Sequence, residues 1–171
     1  VRNASNETDE QNFAHANVRR VPAEQLLDCL SQVTDVQEKF KGLPLGARAV
    51  QIADGQTSTY FLTTFGRAKR ETVCDCEATT DPSLSQALQM LNGDAVQGKI
   101  TRGGVVKKMI GEGKTPEQVI ETIFVRSLTR KPTQDEMERL TAVVSSAENP
   151  QAGLEDVFWA VLNSREFLFN H

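Results

Sequence analysis

Two four-residue phrases in the second half of the chain constrain its fold more than anything else in it. Thr115-Pro116-Glu117-Gln118 and Thr133-Gln134-Asp135-Glu136 each set a threonine three residues ahead of a Gln or Glu. The threonine oxygen can accept one of the unpaired N–H groups at a helix start, and the Gln or Glu side chain reaches back to the threonine's own N–H. Apolar residues then recur at helical spacing: Val119, Ile120, Ile123, Phe124 and Leu128 after the first phrase, and Met137, Leu140, Val143 and Val144 after the second. A further stripe of Leu154, Val157, Phe158, Val161, Leu162 and Leu168 follows. The spacing predicts helices over Pro116–Leu128, Gln134–Ser145 and Leu154–Leu168. Short polar links between them favour neighbours packed together. Trp159 and Phe167 are expected in the core or at its rim.

The first half is less regular. Residues 1–20 are polar and non-periodic and are expected to form an N-terminal arm, with residues 21–171 as one mainly helical domain. Pro22 opens a helix, because its missing N–H costs nothing in the first turn. Leu26, Leu27, Leu30, Val33 and Phe40 follow at helical spacing, and Cys29 among them is expected to be a small buried side chain. Gly42-Leu43-Pro44-Leu45-Gly46 breaks the pattern. Arg48 to Ala53 suits a short strand, and a small β element is expected around residues 46–80. Tyr60, Phe61, Leu62 and Phe65 form an apolar cluster ended by Gly66. Asp81-Pro82 caps a helix with the stripe Leu84, Leu88, Leu91, which Asn92-Gly93 stops. Val105, Val106, Met109 and Ile110 make a short helix after the break at Arg102-Gly103-Gly104.

At 171 residues the chain can bury a core without disulfides or metal. No run of about 18 apolar residues exists, so no membrane span is expected. The residues from Val1 onward lack a basic stretch followed by an apolar one, so no export signal is expected in them. The net charge of −4 argues against a nucleic-acid partner, which wants a basic face. Three cysteines cannot all pair internally.

Cys74-Asp75-Cys76 is the one local cluster with chemistry in it, with Arg67, Lys69 and Arg70 as flanking cations. Glu71, Asp75 and Glu77 answer those cations, so the run is expected to be solvated or salt-bridged. In an extended segment the two thiols share a face about 6.5–7 Å apart along the strand. A disulfide needs Cβ atoms about 3.8 Å apart, so only a tight turn allows one, and it would be strained and easily reduced. Two thiolates can also hold zinc, with His15, Cys29, His171 and carboxylates as the remaining ligand pool. The cations lower a nearby thiol pKa and the acids raise it. A packed or locally bridged structural pair is the favoured role, with a thiol redox or metal site at Cys74 and Cys76 as the alternative. No catalytic residue and no cofactor site is assigned: neither histidine has a triad setting, and Arg102-Gly103-Gly104 lacks the lysine of a phosphate loop.

Several phrases, in order, resemble a known family. They are Arg19-Arg20-Val21-Pro22-Ala23-Glu24, Phe61-Leu62-Thr63-Thr64-Phe65-Gly66-Arg67, Cys74-Asp75-Cys76-Glu77, Gln86-Ala87-Leu88-Gln89-Met90-Leu91-Asn92-Gly93 and Leu162-Asn163-Ser164-Arg165-Glu166-Phe167-Leu168-Phe169-Asn170-His171. Together, from about Asn12 to His171, they look like the planctomycete-type C-terminal domain family of unknown function. Two departures stand out: proline often follows the Gly66-Arg67 equivalent in that family, where this chain has Ala68, and Cys29 is not part of its pattern. The resemblance implies the tail of a larger exported protein, often with a cytochrome-c-like domain upstream. Any haem would belong to that domain, since this chain lacks a Cys-x-x-Cys-His attachment sequence. It implies no activity and no catalytic residues. The resulting expectation is a non-catalytic structural or interaction module that packs on upstream domains or on a partner protein.

Overall fold

The computed structural model describes residues 18–53, 55, 57–68, 83–92 and 95–170. It is mainly helical. In chain order the elements are β1 (Arg19–Arg20), α1 (Ala23–Thr34), a 3-10 turn (Ala49–Gln51), α2 (Tyr60–Thr64), α3 (Leu84–Asn92), α4 (Gln97–Gly103), α5 (Val105–Gly111), α6 (Pro116–Leu128), α7 (Gln134–Ser146), α8 (Pro150–Leu162), α9 (Arg165–Leu168) and β2 (Phe169–Asn170).

Both capping boxes form. The Thr115 N–H donates to Gln118 Oε1 at 3.0 Å while the Gln118 N–H donates to Thr115 Oγ1 at 3.4 Å. Thr133 and Glu136 make the same exchange at 2.7 and 3.3 Å. The helices they start, α6 and α7, pack with α8, which also touches α4, α5 and α9 and so forms the centre of the molecule. Phe158, Leu154 and Leu162 of α8 are fully buried there. Gly153 lets α8 close on the end of α7, since a Cβ at that position would stand 2.9 Å from Ala147 Cβ and 3.1 Å from Val144 Cα.

The last helix differs from its expectation. It starts at Pro150, with Asn149 accepting from the Gln151 N–H at 2.9 Å, and it stops at Leu162. Ser164 then caps a separate turn, accepting from the Phe167 N–H at 3.2 Å. A serine hydroxyl that satisfies a free N–H competes with continuing the helix. The chain leaves that turn as β2, which pairs antiparallel with β1, Arg19 opposite Asn170 and Arg20 opposite Phe169. The inner end of the expected arm, Arg19–Arg20, is therefore a short strand; residues 1–17 lie outside the described ones.

Helix α1 begins one residue after Pro22, whose carbonyl accepts from the Leu26 N–H at 2.8 Å. It ends at Thr34, because Asp35 takes the left-handed conformation at φ 58°. Phe40 is in the core but on the following strap, not on the helix. The strand expected over Arg48–Ala53 is instead a 3-10 turn. Its cause is Asp28, a buried α1 carboxylate that accepts the Ala49 N–H at 2.5 Å and the Val50 N–H at 3.3 Å. A carboxylate receiving two successive N–H groups favours a helical start over an extended strand. Between residues 46 and 68 no described residue lies in a strand, and residues 69–82 lie outside the described ones. The cluster at Tyr60–Phe65 is helix α2, with Phe61 and Phe65 rings stacked at 4.3 Å and Gly66 at φ 76° ending it.

Candidate functional site

The apolar groove beside the β1–β2 ribbon is the most distinctive surface feature. It has a volume of about 270 Å³ and is walled by Phe65, Ala87, Met90, Leu91, Leu168 and Phe169, with Arg20 and Gln86 at its polar end. Arg20 is buried. Its guanidinium donates to the Phe65 carbonyl at 2.8 Å and to Gln86 Oε1, and lies over the Phe65 ring at 5.4 Å from the centroid. Gln86 in turn donates from Nε2 to the Thr64 carbonyl at 3.0 Å. One arginine and one glutamine thus tie β1, α2 and α3 together under an apolar trough.

Helix α3 enters this arrangement the other way up from its expected stripe. Leu84, Leu88 and Leu91 were the expected inward face, yet they are 76%, 49% and 47% exposed, while Gln86 and Met90 are buried. The polar residue wins because of its partners. Ser83 and Gln86 cap the helix reciprocally at 3.3 Å each, and the same Gln86 side chain serves Arg20 and Thr64. A buried amide with its hydrogen bonds met costs little, and it turns the leucines outward. Asp81 and Pro82, the expected cap, lie outside the described residues. The Ser-x-x-Gln phrase at 83–86 was the sequence signal for the true start; nothing in the sequence announced Arg20.

The sequence-derived candidates fall as follows. Cys74, Cys76, Lys69 and Arg70 lie outside the described residues, as do His15 and His171. Arg67 is no solvated cation. Its side chain is 2% exposed and it binds Glu24 at 3.1 Å, the Thr57 carbonyl at 2.6 Å and the Ile52 carbonyl at 3.2 Å. Its acidic partner among the described residues is Glu24 of α1, and it staples the segment 52–67 to that helix; the Glu71–Glu77 stretch lies outside the described residues. Cys29 is exposed rather than buried, on the outer stripe of α1 with Gln25 and Gln32. Partial desolvation and the neighbouring Asp28 carboxylate raise its thiol pKa, against a smaller opposing pull from Arg48. Among the described residues, no group of three His, Cys, Asp or Glu could hold a metal ion. No described helix is long and apolar enough to cross a membrane.

A second polar knot lies on the far side of α1. Lys99 of α4 is buried, donates to Ser31 Oγ at 3.2 Å, and forms an ion pair with Glu38. The same lysine thus bridges a serine of α1 and a carboxylate of the strap that follows it. The knot is a fastener. Helix α4 can come this close only because residue 103 is glycine: a Cβ there would lie 1.6 Å from the Thr34 carbonyl oxygen.

Fold and surface together define a mainly helical domain with an apolar surface trough and internal charged staples. Its family can be given. Residues 1–144 match the family model described as PSD1, protein of unknown function (DUF1553), and the chain belongs to that family. The match ends inside α7, so α8, α9 and β2 lie beyond it. No curated protein and no solved structure matches the chain.

Proposed function

We propose that this chain is a non-catalytic structural and interaction module, the C-terminal piece of a large exported multidomain protein, and that its groove packs against an upstream domain of the same polypeptide. In this reading any haem belongs to a cytochrome-c-like domain upstream. The observation that carries the reading is the row Leu84, Leu88, Leu91, exposed on one stripe of α3, with Leu91 also lining the apolar groove. Large contiguous apolar patches on a protein surface mark contact with another macromolecule. Among the described residues the groove's one charged side chain, Arg20, is already engaged by Phe65 and Gln86, so what the groove offers there is packing area. The chain also leads into β1 at the groove's edge, through Arg19 and Arg20. The seventeen residues before Val18 reach at most about 60 Å when extended. A domain tethered there meets the groove at high effective concentration.

The test compares amide hydrogen exchange in this chain alone with exchange in the longer natural polypeptide. Protection of α3 should rise about tenfold or more in the longer protein, and the variant Leu84→Ser/Leu88→Ser/Leu91→Ser should cancel the gain without unfolding the domain. Equal protection of α3 in both contexts overturns the reading. The Cys74-Asp75-Cys76 sequence supports a second reading, a thiol redox or metal site. Native mass spectrometry with and without reductant decides it: a bound ion, or a two-hydrogen mass difference, favours that site, and a metal-free dithiol under both conditions removes it.

A further inference from the structure

On the face formed by the strap after α1 and the segment entering α2 lies a cleft of about 560 Å³, lined by Lys39, Phe40, Lys41, Gly42, Thr57, Ser58 and Thr59. It is larger than the groove beside α3 and opposite in character. None of its described lining residues is acidic. Phe40 is buried and anchors the strap, and the lysines on either side of it are both exposed. Neither lysine has an ion-pair partner among the described residues. The carboxylate that precedes them in sequence, Glu38, is held by Lys99.

Two carbonyls facing this segment are already engaged, while a hydroxyl donor remains. The Thr57 carbonyl is occupied by Arg67 at 2.6 Å, and the Thr59 carbonyl accepts from Ser58 Oγ at 3.3 Å. Thr59 Oγ1 accepts from the Leu62 N–H, which leaves its own O–H to donate outward. Gly42 sits at φ 80° with nothing within 4 Å of where a Cβ would stand, so the strap leaves open space at that point. Among the described residues, two lysine side chains, a hydroxyl donor and no carboxylate line the cleft, a local set of opposite sign to the chain's net charge of −4. Charge-assisted hydrogen bonds from such donors select oxyanions.

We propose that this cleft binds a small organic ligand through an oxyanion group, a carboxylate, sulfate or phosphate, clasped between Lys39 and Lys41 and the Thr59 hydroxyl. The volume is that of a small-molecule site rather than of a lone ion. The proposal is independent of the apolar groove and of any docking there.

The experiment is an NMR titration of the full chain with inorganic phosphate, inorganic sulfate and acetate in separate arms, which distinguish the three headgroups. Saturable shifts of the Lys39–Gly42 and Thr57–Thr59 amides are expected in at least one arm. Lys39→Gln/Lys41→Gln should weaken that binding about a hundredfold, since each lysine supplies one charge-assisted hydrogen bond. Lys39→Arg/Lys41→Arg should keep it. Lys107→Gln/Lys108→Gln, which removes the same charge from exposed positions of α5 away from the cleft, should leave it unchanged. Thermal melts of all three variants confirm that each is folded. The inference is overturned if no arm saturates, if shifts spread evenly over every surface lysine, or if the Lys107/Lys108 variant loses as much affinity as the Lys39/Lys41 one.

Discussion

The two halves of this molecule are held together by different physics. From α6 to α8 the helices begin at side-chain caps, join through short links and bury aliphatic and aromatic faces against one another. From β1 to α4 the elements other than α1 are short, and charged or amide side chains connect them: Arg20 to Gln86, Asp28 to the 3-10 turn, Arg67 to Glu24, Lys99 to Glu38. The difference follows from segment length. Short helices and loops expose many backbone carbonyls and N–H groups, and these must find partners when buried. Arg67 meets two such carbonyls with one guanidinium, and Asp28 meets two such N–H groups with one carboxylate. A long capped helix satisfies its backbone internally and needs only an apolar face.

If that contrast is right, each half should fail in its own way. The largest effect is expected from Phe158→Ala at the centre of α8, where a fully buried ring is removed. The loss should be about 4 kcal/mol in urea unfolding, the transfer free energy of the ring plus the cost of the cavity. A loss under about 1 kcal/mol would show that α8 is not the centre of the core.

Next comes Arg67→Met, which keeps the stem and removes the guanidinium. It strands the Ile52 and Thr57 carbonyls and the Glu24 carboxylate together. Unpaired buried groups cost more than the pair contributed, so a loss of about 3 kcal/mol is expected. Hydrogen exchange should place it in α1 and α2 while α6 and α7 keep their protection. Uniform loss across all helices would break the division into two halves. A smaller effect belongs to Thr115→Ala, which deletes one capping oxygen at an exposed helix start. About 1 kcal/mol is expected from the same urea curves.

The same contrast explains what could be foreseen from the amino acids. Helices α6 and α7 were legible to within a residue because capping boxes and 3.6-residue periodicity are local signals. The mainly helical class followed from them. The 3-10 turn at Ala49 was not legible, since its cause, Asp28, lies 21 residues away in the chain. Leu84, Leu88 and Leu91 marked α3 correctly but pointed the wrong way. Periodicity identifies an apolar face without saying whether this chain covers it, and a buried Gln86 outbid that face through hydrogen bonds to two other elements. Cys29 misled for a related reason, as small and apolar by type but placed on the outer stripe of α1. The groove and the lysine cleft were invisible because residues remote in sequence line them.

The smallest effect sharpens the comparison from the side of pH. Arg130, just beyond α6, donates to Glu136 at 2.8 and 2.9 Å and to Glu166 at 2.6 and 2.7 Å, with its guanidinium over the Phe124 ring. The Arg130 hydrogen bonds, aided by the Thr133 N–H, hold the Glu136 carboxyl down to about 2. An unfolded glutamate titrates near about 4.3. The folded value is the lower one, so the contribution is complete above the unfolded value and disappears as pH falls from about 4.5 toward 2. Arg130 and Glu136 are each 35% exposed, so water and salt reduce the effect to about 1 kcal/mol or less. Stability measured across that window at low ionic strength should drop on acidification. In Glu136→Gln the same window should be flatter, and added salt should flatten the parent curve toward it. A parent and variant with identical acid profiles would mean that the links between α6, α7 and α9 owe nothing to charge, leaving caps and apolar packing as the whole of what holds the C-terminal half.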